Sequence, residues 1–304
     1  MSVNYDLITI LGPTASGKTK VAVHLASKIN SEIISADSRQ VYRGMDIGTG
    51  KDLNEYNLNS KKIPYHLIDI IDAGEKYNLF SYQKDFFMVY NQIKEKKKIP
   101  ILCGGSGMYI DSVTKGYKMQ NVPFNIDLRN KLQNKSLEDL ISILELYKET
   151  HNKSDQDNKE RAIRAIEIAD YQIKNRKPIN FPRLRTCFVG LRISREKRRE
   201  KITKRLTDRL NNGMIEEVSN LLKTIPSDNL IYYGLEYKYV TLYLLNEISY
   251  KEMFTKLEIA IHQFSKKQET WFRGMERKGV KIHWIDALKS DKEKTEMILN
   301  TLNN

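Results

Sequence analysis

The chain has 304 residues, 40% of them hydrophobic and 29% charged, with 51 Lys and Arg against 38 Asp and Glu for a net charge of +13. Its 17 Tyr, 9 Phe and many Ile and Leu exclude a disordered chain, and the length suffices for one large domain or a domain with an insertion. The two cysteines, Cys103 and Cys187, exclude a disulfide framework and fit a reducing compartment. The positive excess favours an anionic partner: nucleic acid, a phosphorylated substrate or a membrane surface. Lysine placed on every solvated face would give the same count, so the positions of the arginines have to decide. No apolar run approaches the length of a bilayer span. The stretch from Met1 to Leu11 lacks a basic start, so no signal peptide is expected and a cytoplasmic location is.

Tyr5 to Leu11 reads as a buried strand, Gly12 to Gly17 as a loop, and Lys18 to Ile29 as a helix with Val21, Ala22, Leu25 and Ala26 on one face. Glu32 to Ser35 is a short strand, and His66 to Ile71 is another after the break at Pro64. Phe80 to Lys96 is helical, and Ile99 to Cys103 is a strand that stops at Gly104-Gly105. This alternation predicts a parallel sheet covered on both faces. From Lys115 to about Pro182 no buried strand is evident. Helical stretches run from Ser136 to Thr150 and from Lys159 to Asn175, joined by the polar segment His151 to Asn158. Ser136 followed by Asp139 marks a helix start. Strand character returns at Thr186 to Ile193. A basic helix from Arg195 to about Asn212, a helix from Ser249 to Gly274, a strand from Val280 to Ile285 and a charged helix complete the chain.

Gly12-Pro13-Thr14-Ala15-Ser16-Gly17-Lys18-Thr19 fits the P-loop pattern and sits between a strand and a helix, as the mechanism requires. The glycines let the backbone curl so that several N–H groups face one phosphate, and the helix N-terminus adds partial positive charge. Lys18 can reach terminal phosphates and the Thr19 hydroxyl can hold Mg²⁺. The motif implies a polyphosphate but specifies neither ATP nor hydrolysis. The expected fold is α/β, a P-loop NTPase-like parallel sheet core formed by 1–115 and 183–304 with a helical insertion at 116–182.

The second strand leads into Asp37-Ser38-Arg39-Gln40. Carboxyl ends of parallel strands border the ligand crevice, so Asp37 should project near the P-loop. There it could ligate Mg²⁺ through water or accept a proton from a nucleophile. A helix N-cap is the alternative reading. Gly104-Gly105-Ser106 reads first as a substrate contact, with close backbone approach, and also as a tight strand-to-helix turn, two readings that are compatible. Cys103 reads as a buried strand residue rather than a nucleophile.

Taken together, these blocks resemble the tRNA dimethylallyltransferases. The match runs from Gly12–Thr19 through Asp37-Ser38-Arg39-Gln40-Val41-Tyr42, Met45–Thr49 with Lys51, and Tyr65–Asp69. It continues through Gly104–Tyr109, Arg161–Glu167, and Gln268 with Thr270-Trp271-Phe272-Arg273. A lone P-loop would be weak; this ordered set covers nearly the whole chain and is highly specific. The resemblance implies transfer of a dimethylallyl group from dimethylallyl diphosphate to N6 of the adenosine 3′ of a tRNA anticodon. The P-loop residues Gly12 to Thr19 would then hold the prenyl diphosphate rather than ATP. Lys18, Thr19 and Arg205 would serve the diphosphate with Mg²⁺, and Asp37 would be the base. Asp37, Ser38, Arg39, Gln40, Gly104, Gly105, Ser106, Arg161, Arg164, Lys266, Lys267 and Arg273 would meet the tRNA anticodon stem-loop. A monomer is expected.

On their own, Arg161 and Glu167 read as surface charge. The basic helix, with Arg198, Lys201 and Arg209 among its cations, reads either as a solvated face or, beside tRNA, as a phosphate track. Trp271 and Phe272 are expected to pack rather than stack on bases. The sequence departs from the family at Ser106, where Thr is usual, at Asn158 in place of Asp, and at His262 in place of Arg. It also departs in Tyr233–Lys238 and in the short segment before Arg161. Rival readings are a prenyltransferase acting on free adenine nucleotides, an ATP-dependent kinase, and a tRNA-binding protein without activity.

Overall fold

The computed structural model describes residues 4–147, 156–175, 182 and 184–303. In chain order the first elements are β1 (Leu7–Leu11), α1 (Lys18–Ile29), β2 (Ile33–Ala36), β3 (Tyr42–Arg43), β4 (Asn57–Leu58), β5 (Lys61–Lys62), β6 (Tyr65–His66), β7 (Ile71–Asp72), α2 (Leu79–Glu95), β8 (Ile101–Gly104) and α3 (Gly107–Thr114). Three helices follow, α4 (Ile126–Leu132), α5 (Leu137–Tyr147) and α6 (Lys159–Lys174). The chain then forms β9 (Thr186–Arg192), α7 (Arg195–Asn211), α8 (Met214–Leu222), α9 (Ser227–Tyr233), α10 (Leu235–Leu244), α11 (Tyr250–Arg277), β10 (Ile282–Asp286) and α12 (Asp291–Asn303).

Six strands form one sheet in the order β10-β9-β1-β8-β2-β6, and every pair is parallel. The parallel core read from the sequence is present. β1 is apolar at nearly every position because both of its faces are covered. Alternate side chains divide between two cores, as the strand period requires. Ile8 and Ile10 join Val21, Leu25 and Val189 on one face, while Leu7 and Leu11 join Tyr82, Phe86, Ile110 and Phe272 on the other. A third core links Val41 and Met45 to Leu206, Met214, Tyr237 and Leu257 on the C-terminal helices.

The strand expected over His66–Ile71 is split. Tyr65 and His66 pair with β2, whereas Ile71 and Asp72 pair with β3 in a separate two-stranded sheet. Leu67 and Asp69, at φ 60° and 55°, turn the backbone between them. The turn brings the Asp69 carboxylate to the buried ammonium of Lys51. A local polar demand thus overrides an apolar run.

Residues 117–182 form a compact unit distinct from 1–116 and 183–304. Leu132, Leu140, Leu144, Ala162, Ala165 and Ile166 form its own apolar core. Its described secondary structure is helical, as read, but α4 was not foreseen, because seven residues carry too weak a period. Ser136 accepts the Asp139 N–H at 3.1 Å, the start expected for α5. Residues 148–150 of that expected helix, and 151–155 of the polar segment, lie outside the described residues. Among the described residues no helix is long and apolar enough to cross a membrane.

Candidate active site

The carboxyl ends of β1, β2 and β8 open into a cleft of about 870 Å³. The P-loop residues Thr14 to Thr19 line it, with Asp37 to Gln40, Cys103, Gly104 and Ser106, and with Lys201, Arg205 and Arg209 from α7. The P-loop and Arg205, far apart in sequence, meet here. Gly17 takes φ 82° at the N-cap of α1, a left-handed conformation in which a Cβ is costly. The helix therefore points its N-terminus into the cleft, where it favours an anion.

The Lys18 ammonium donates to the Pro13 carbonyl at 2.8 Å. Burial pushes its pKa down to about 8; Arg205 adds to that shift and Asp37 opposes it. Arg205 donates to the Thr14 hydroxyl. Burial, with Arg209 beside it, pushes Arg205 down to about 10, so it stays charged at neutral pH. Two desolvated cations sharing one cleft raise each other's cost, and an anion bound between them removes it. A diphosphate is such an anion.

Asp37 stands directly after β2. Its Oδ1 accepts the Arg39 N–H at 2.9 Å, closing a turn, so it does not cap a helix. Ser106 Oγ accepts the Ser38 N–H at 3.1 Å, which joins the Asp37 segment to the turn after β8. Gln40 is engaged at both ends: its Oε1 accepts from the Ser35 hydroxyl at 3.0 Å and its Nε2 donates to the Gly50 carbonyl at 3.1 Å. The Arg39 guanidinium lies 5.9 Å from the ring centre of Tyr232, an exposed tyrosine on the cleft wall.

Gly104 permits close approach, but to the protein itself. A Cβ there would lie 2.1 Å from the Ala36 carbonyl oxygen. Gly105 faces the Gln268 amide in the same way. Gln268, buried on α11, accepts the Thr14 N–H at 2.8 Å and donates to the Gly105 carbonyl at 3.0 Å. It ties the P-loop to the turn after β8, a role the sequence did not disclose. Cys103 is buried, as read, and desolvation pushes its thiol up to about 12.

The remaining candidates fall elsewhere. Arg161 and Arg164 belong to the helical unit. Arg161 is exposed and pairs with Asp157 at 2.6 Å, and Asn158 caps α6 by accepting the Arg161 N–H. Arg164 pairs with buried Glu167 and donates to the Val122 carbonyl at 2.7 Å. Arg129 also holds Glu167, at 3.0 Å, so that carboxylate is a buried anchor rather than the surface charge expected. Lys266, Lys267 and Arg273 are exposed along α11, outside the cleft lining.

One expectation is corrected. Arg198 is not a solvated track residue: it is buried and paired with Glu269 of α11. Its position faces α11, whereas Lys201, on the same helix, is exposed at the cleft. Phe272 packs in the core, and Trp271, 37% exposed, packs against Gly107. Sequence reading also missed Asp52, Tyr232 and Glu236 as cleft residues. Glu236 is desolvated there, which raises its pKa, while Arg209 and Arg205 oppose the rise. The Arg205/Arg209 spacing of four, one helical face, was the available signal for Arg209.

The parallel sheet, the left-handed glycine at the N-terminus of α1 and the cationic cleft above it define a P-loop α/β protein. The IPP transferase family model matches residues 40–275. A tRNA dimethylallyltransferase 1 of Parabacteroides distasonis is 57% identical over 303 residues, 99% of each chain. A tRNA dimethylallyltransferase 2 of Bacteroides fragilis is 58% identical, covering 98% of each. The crystal structure of a tRNA isopentenylpyrophosphate transferase from Bacillus halodurans superimposes with a TM-score of 0.70 at 29% identity, over 99% of this chain and 97% of that one. A eukaryotic dimethylallyltransferase crystallised acting on tRNA shares the fold, with a TM-score of 0.78 at 20% identity, over 97% of this chain and 77% of that one. The chain belongs to the tRNA dimethylallyltransferase family and is a prenyl-transferring enzyme.

Proposed function

We propose that this enzyme transfers a dimethylallyl group from dimethylallyl diphosphate to N6 of the adenosine 3′ of a tRNA anticodon, releasing diphosphate. The observation that carries this reading is the convergence of Lys18 and Arg205, both desolvated cations, on the cleft that also holds Asp37. The C1–O bond of the donor breaks and its electron pair leaves with the diphosphate. The N6 lone pair forms the new C1–N bond, and the N6 proton passes to Asp37. Lys18, Arg205 and the loop amides would stabilise charge growing on the leaving group. The exposed lysines and Arg273 of α11, Lys201 of α7 and Arg161 of the helical unit would meet tRNA phosphates.

The hydroxyl of Thr19 and the carboxylate of Asp37 share the cleft, and both are hard oxygen donors suited to Mg²⁺. No cluster of three His, Cys, Asp or Glu exists among the described residues. That donor set fits a Mg²⁺ carried largely by the diphosphate and water, with Thr19 as ligand and Asp37 reached through water. When bound, the ion would neutralise charge on the diphosphate.

The test is incubation with unmodified tRNA and radiolabelled dimethylallyl diphosphate, with AMP and ATP as competing acceptors, followed by mapping of the labelled nucleoside. Label on the adenosine beside the anticodon is expected, and activity should vanish in EDTA. Weak affinity for tRNA together with rapid prenylation of AMP would overturn the tRNA reading in favour of a free-nucleotide acceptor.

A further inference from the structure

Glu217, near the start of α8, is not part of the cleft wall, yet it makes four hydrogen bonds. Its Oε2 accepts the N–H groups of Asp46 at 2.9 Å and Ile47 at 2.7 Å. Its Oε1 accepts the Gly48 N–H at 3.1 Å and the Tyr237 hydroxyl at 2.7 Å. Three successive amides around one carboxylate form an anion nest, filled here by the protein's own side chain.

The segment so held supplies Gly48, Thr49, Gly50 and Asp52 to the cleft. On its other side Lys51, 1% exposed, donates to the Tyr42 carbonyl and to Asp46, both at 2.6 Å, and to Asp69. The neighbouring packing leaves no slack. A Cβ on Gly48 would lie 2.7 Å from the Tyr237 ring, and one on Gly50 would overlap the Arg209 guanidinium. The Gly50 carbonyl accepts from Gln40, whose other end holds the Ser35 hydroxyl. Asp37 lies between Ser35 and Gln40. A continuous set of polar contacts thus runs from Glu217 through the 46–50 segment to the segment bearing the base.

We propose that Glu217 is a positioning residue for prenyl transfer. It fixes the 46–50 wall, and with it the Arg209 side chain and the Ser35–Gln40 segment, without touching substrate. This inference rests on the reading of the cleft as the prenyl-transfer site. A carboxylate suits the place because all four of its partners are donors and it is acceptor-only. An amide would turn its NH₂ toward two of them. A misplacement of the order of 1 Å at a reacting group costs up to about 10²-fold in rate.

The experiment compares wild type with Glu217→Gln, Glu217→Ala and Tyr237→Phe in single-turnover transfer from dimethylallyl diphosphate to tRNA, with Tm measured for each. Wild-type failure to transfer would sink the functional reading, not this one. With wild type active, Glu217→Gln and Glu217→Ala are expected to lose about ten- to 10²-fold in rate at saturating substrates. Affinity for the diphosphate should hardly change, since the P-loop holds it. Formate should restore part of the Glu217→Ala rate by entering the vacated nest, and should not help Glu217→Gln, whose side chain still fills it. Tyr237→Phe removes one donor of four and should lose severalfold with little change in Tm, a readout that stands even where both Glu217 variants fail to fold. Wild-type rates in the folded variants, or a rate loss that formate leaves untouched and that follows the fall in Tm, would overturn the proposal.

Discussion

Asp37 caps no helix and faces the cleft, but its carboxylate also closes the turn to Arg39, so its removal is read beside a Tm that shows the fold intact. Asp37→Ala is expected to lower the single-turnover rate about 10²–10⁴-fold while leaving tRNA affinity nearly intact. A change confined to tRNA affinity would reassign it to positioning. Lys18 makes a second expectation. With its pKa pushed down to about 8, chiefly by burial, its ammonium is present below that value and lost as pH rises through it. Diphosphate affinity should therefore fall as pH rises past about 8, and binding near that pH should take up a proton. Calorimetry in buffers of different ionisation enthalpy measures the uptake. Lys18→Met should bind weakly with no uptake, and a wild type showing none would remove the argument. Gly104→Ala forces a Cβ against the Ala36 backbone, neither of which can swing aside. A loss of at least about 1–3 kcal/mol in denaturant unfolding is expected.

The helices α7 and α11 divide their cations between structure and binding. Arg198 and Glu269 join the two helices through a pair in which Arg198 is 8% exposed and Glu269 25%. Removing Arg198 leaves the half-buried Glu269 with Arg273 at 3.8 Å as its remaining partner, and that pair together with partial solvation moderates the cost to about 1–2 kcal/mol. Arg198→Ala should thus lower stability while leaving the salt dependence of tRNA binding unchanged. Lys201→Ala should do the reverse, reducing the slope of log affinity against log salt by roughly one unit if it meets one phosphate. The measurement is tRNA affinity across a salt series beside urea unfolding for each variant. Equal salt slopes for wild type and Lys201→Ala would make Lys201 a merely solvated charge.

Over the whole molecule, stability should depend on acid through two buried carboxylates in different units. Burial alone would raise Glu32, but hydrogen bonds from Lys98, His66 and Lys96 outweigh it and hold its pKa at about 2. Glu167 in the helical unit is likewise held at about 2, against its own desolvation, by Arg129, the Asn125 N–H and Arg164. Both folded values lie below the ordinary 4.5, so their stabilisation is present above about 4.5 and is lost as pH falls toward about 2. Tm should drop across that window, and Glu32→Gln should start lower at neutral pH and drop less. A Glu32→Gln profile parallel to wild type would show that Glu32 does not drive the acid transition.

The sequence alone determined the parallel core, the P-loop at the end of β1 and the candidacy of Asp37. Each is written locally: an apolar run five residues long, a glycine spacing, an acid directly after a strand. Family membership was legible for a related reason, since short blocks of fixed residue type survive in order along the chain. What the tertiary structure decided is the partnership of groups far apart in sequence. Nothing local says that Arg198 turns inward to Glu269 while Lys201, three residues on, stays in water, because both readings have the same composition and period. Gly104 lines the cleft, but only the fold shows that the space a side chain would need there belongs to Ala36 of the neighbouring strand. Gln268 on the P-loop, 254 positions away, and Glu217 on the 46–48 amides, about 170 away, answer backbone groups that no sequence window contains. A buried donor or acceptor must be satisfied, but which side chain satisfies it is settled only when the chain closes on itself.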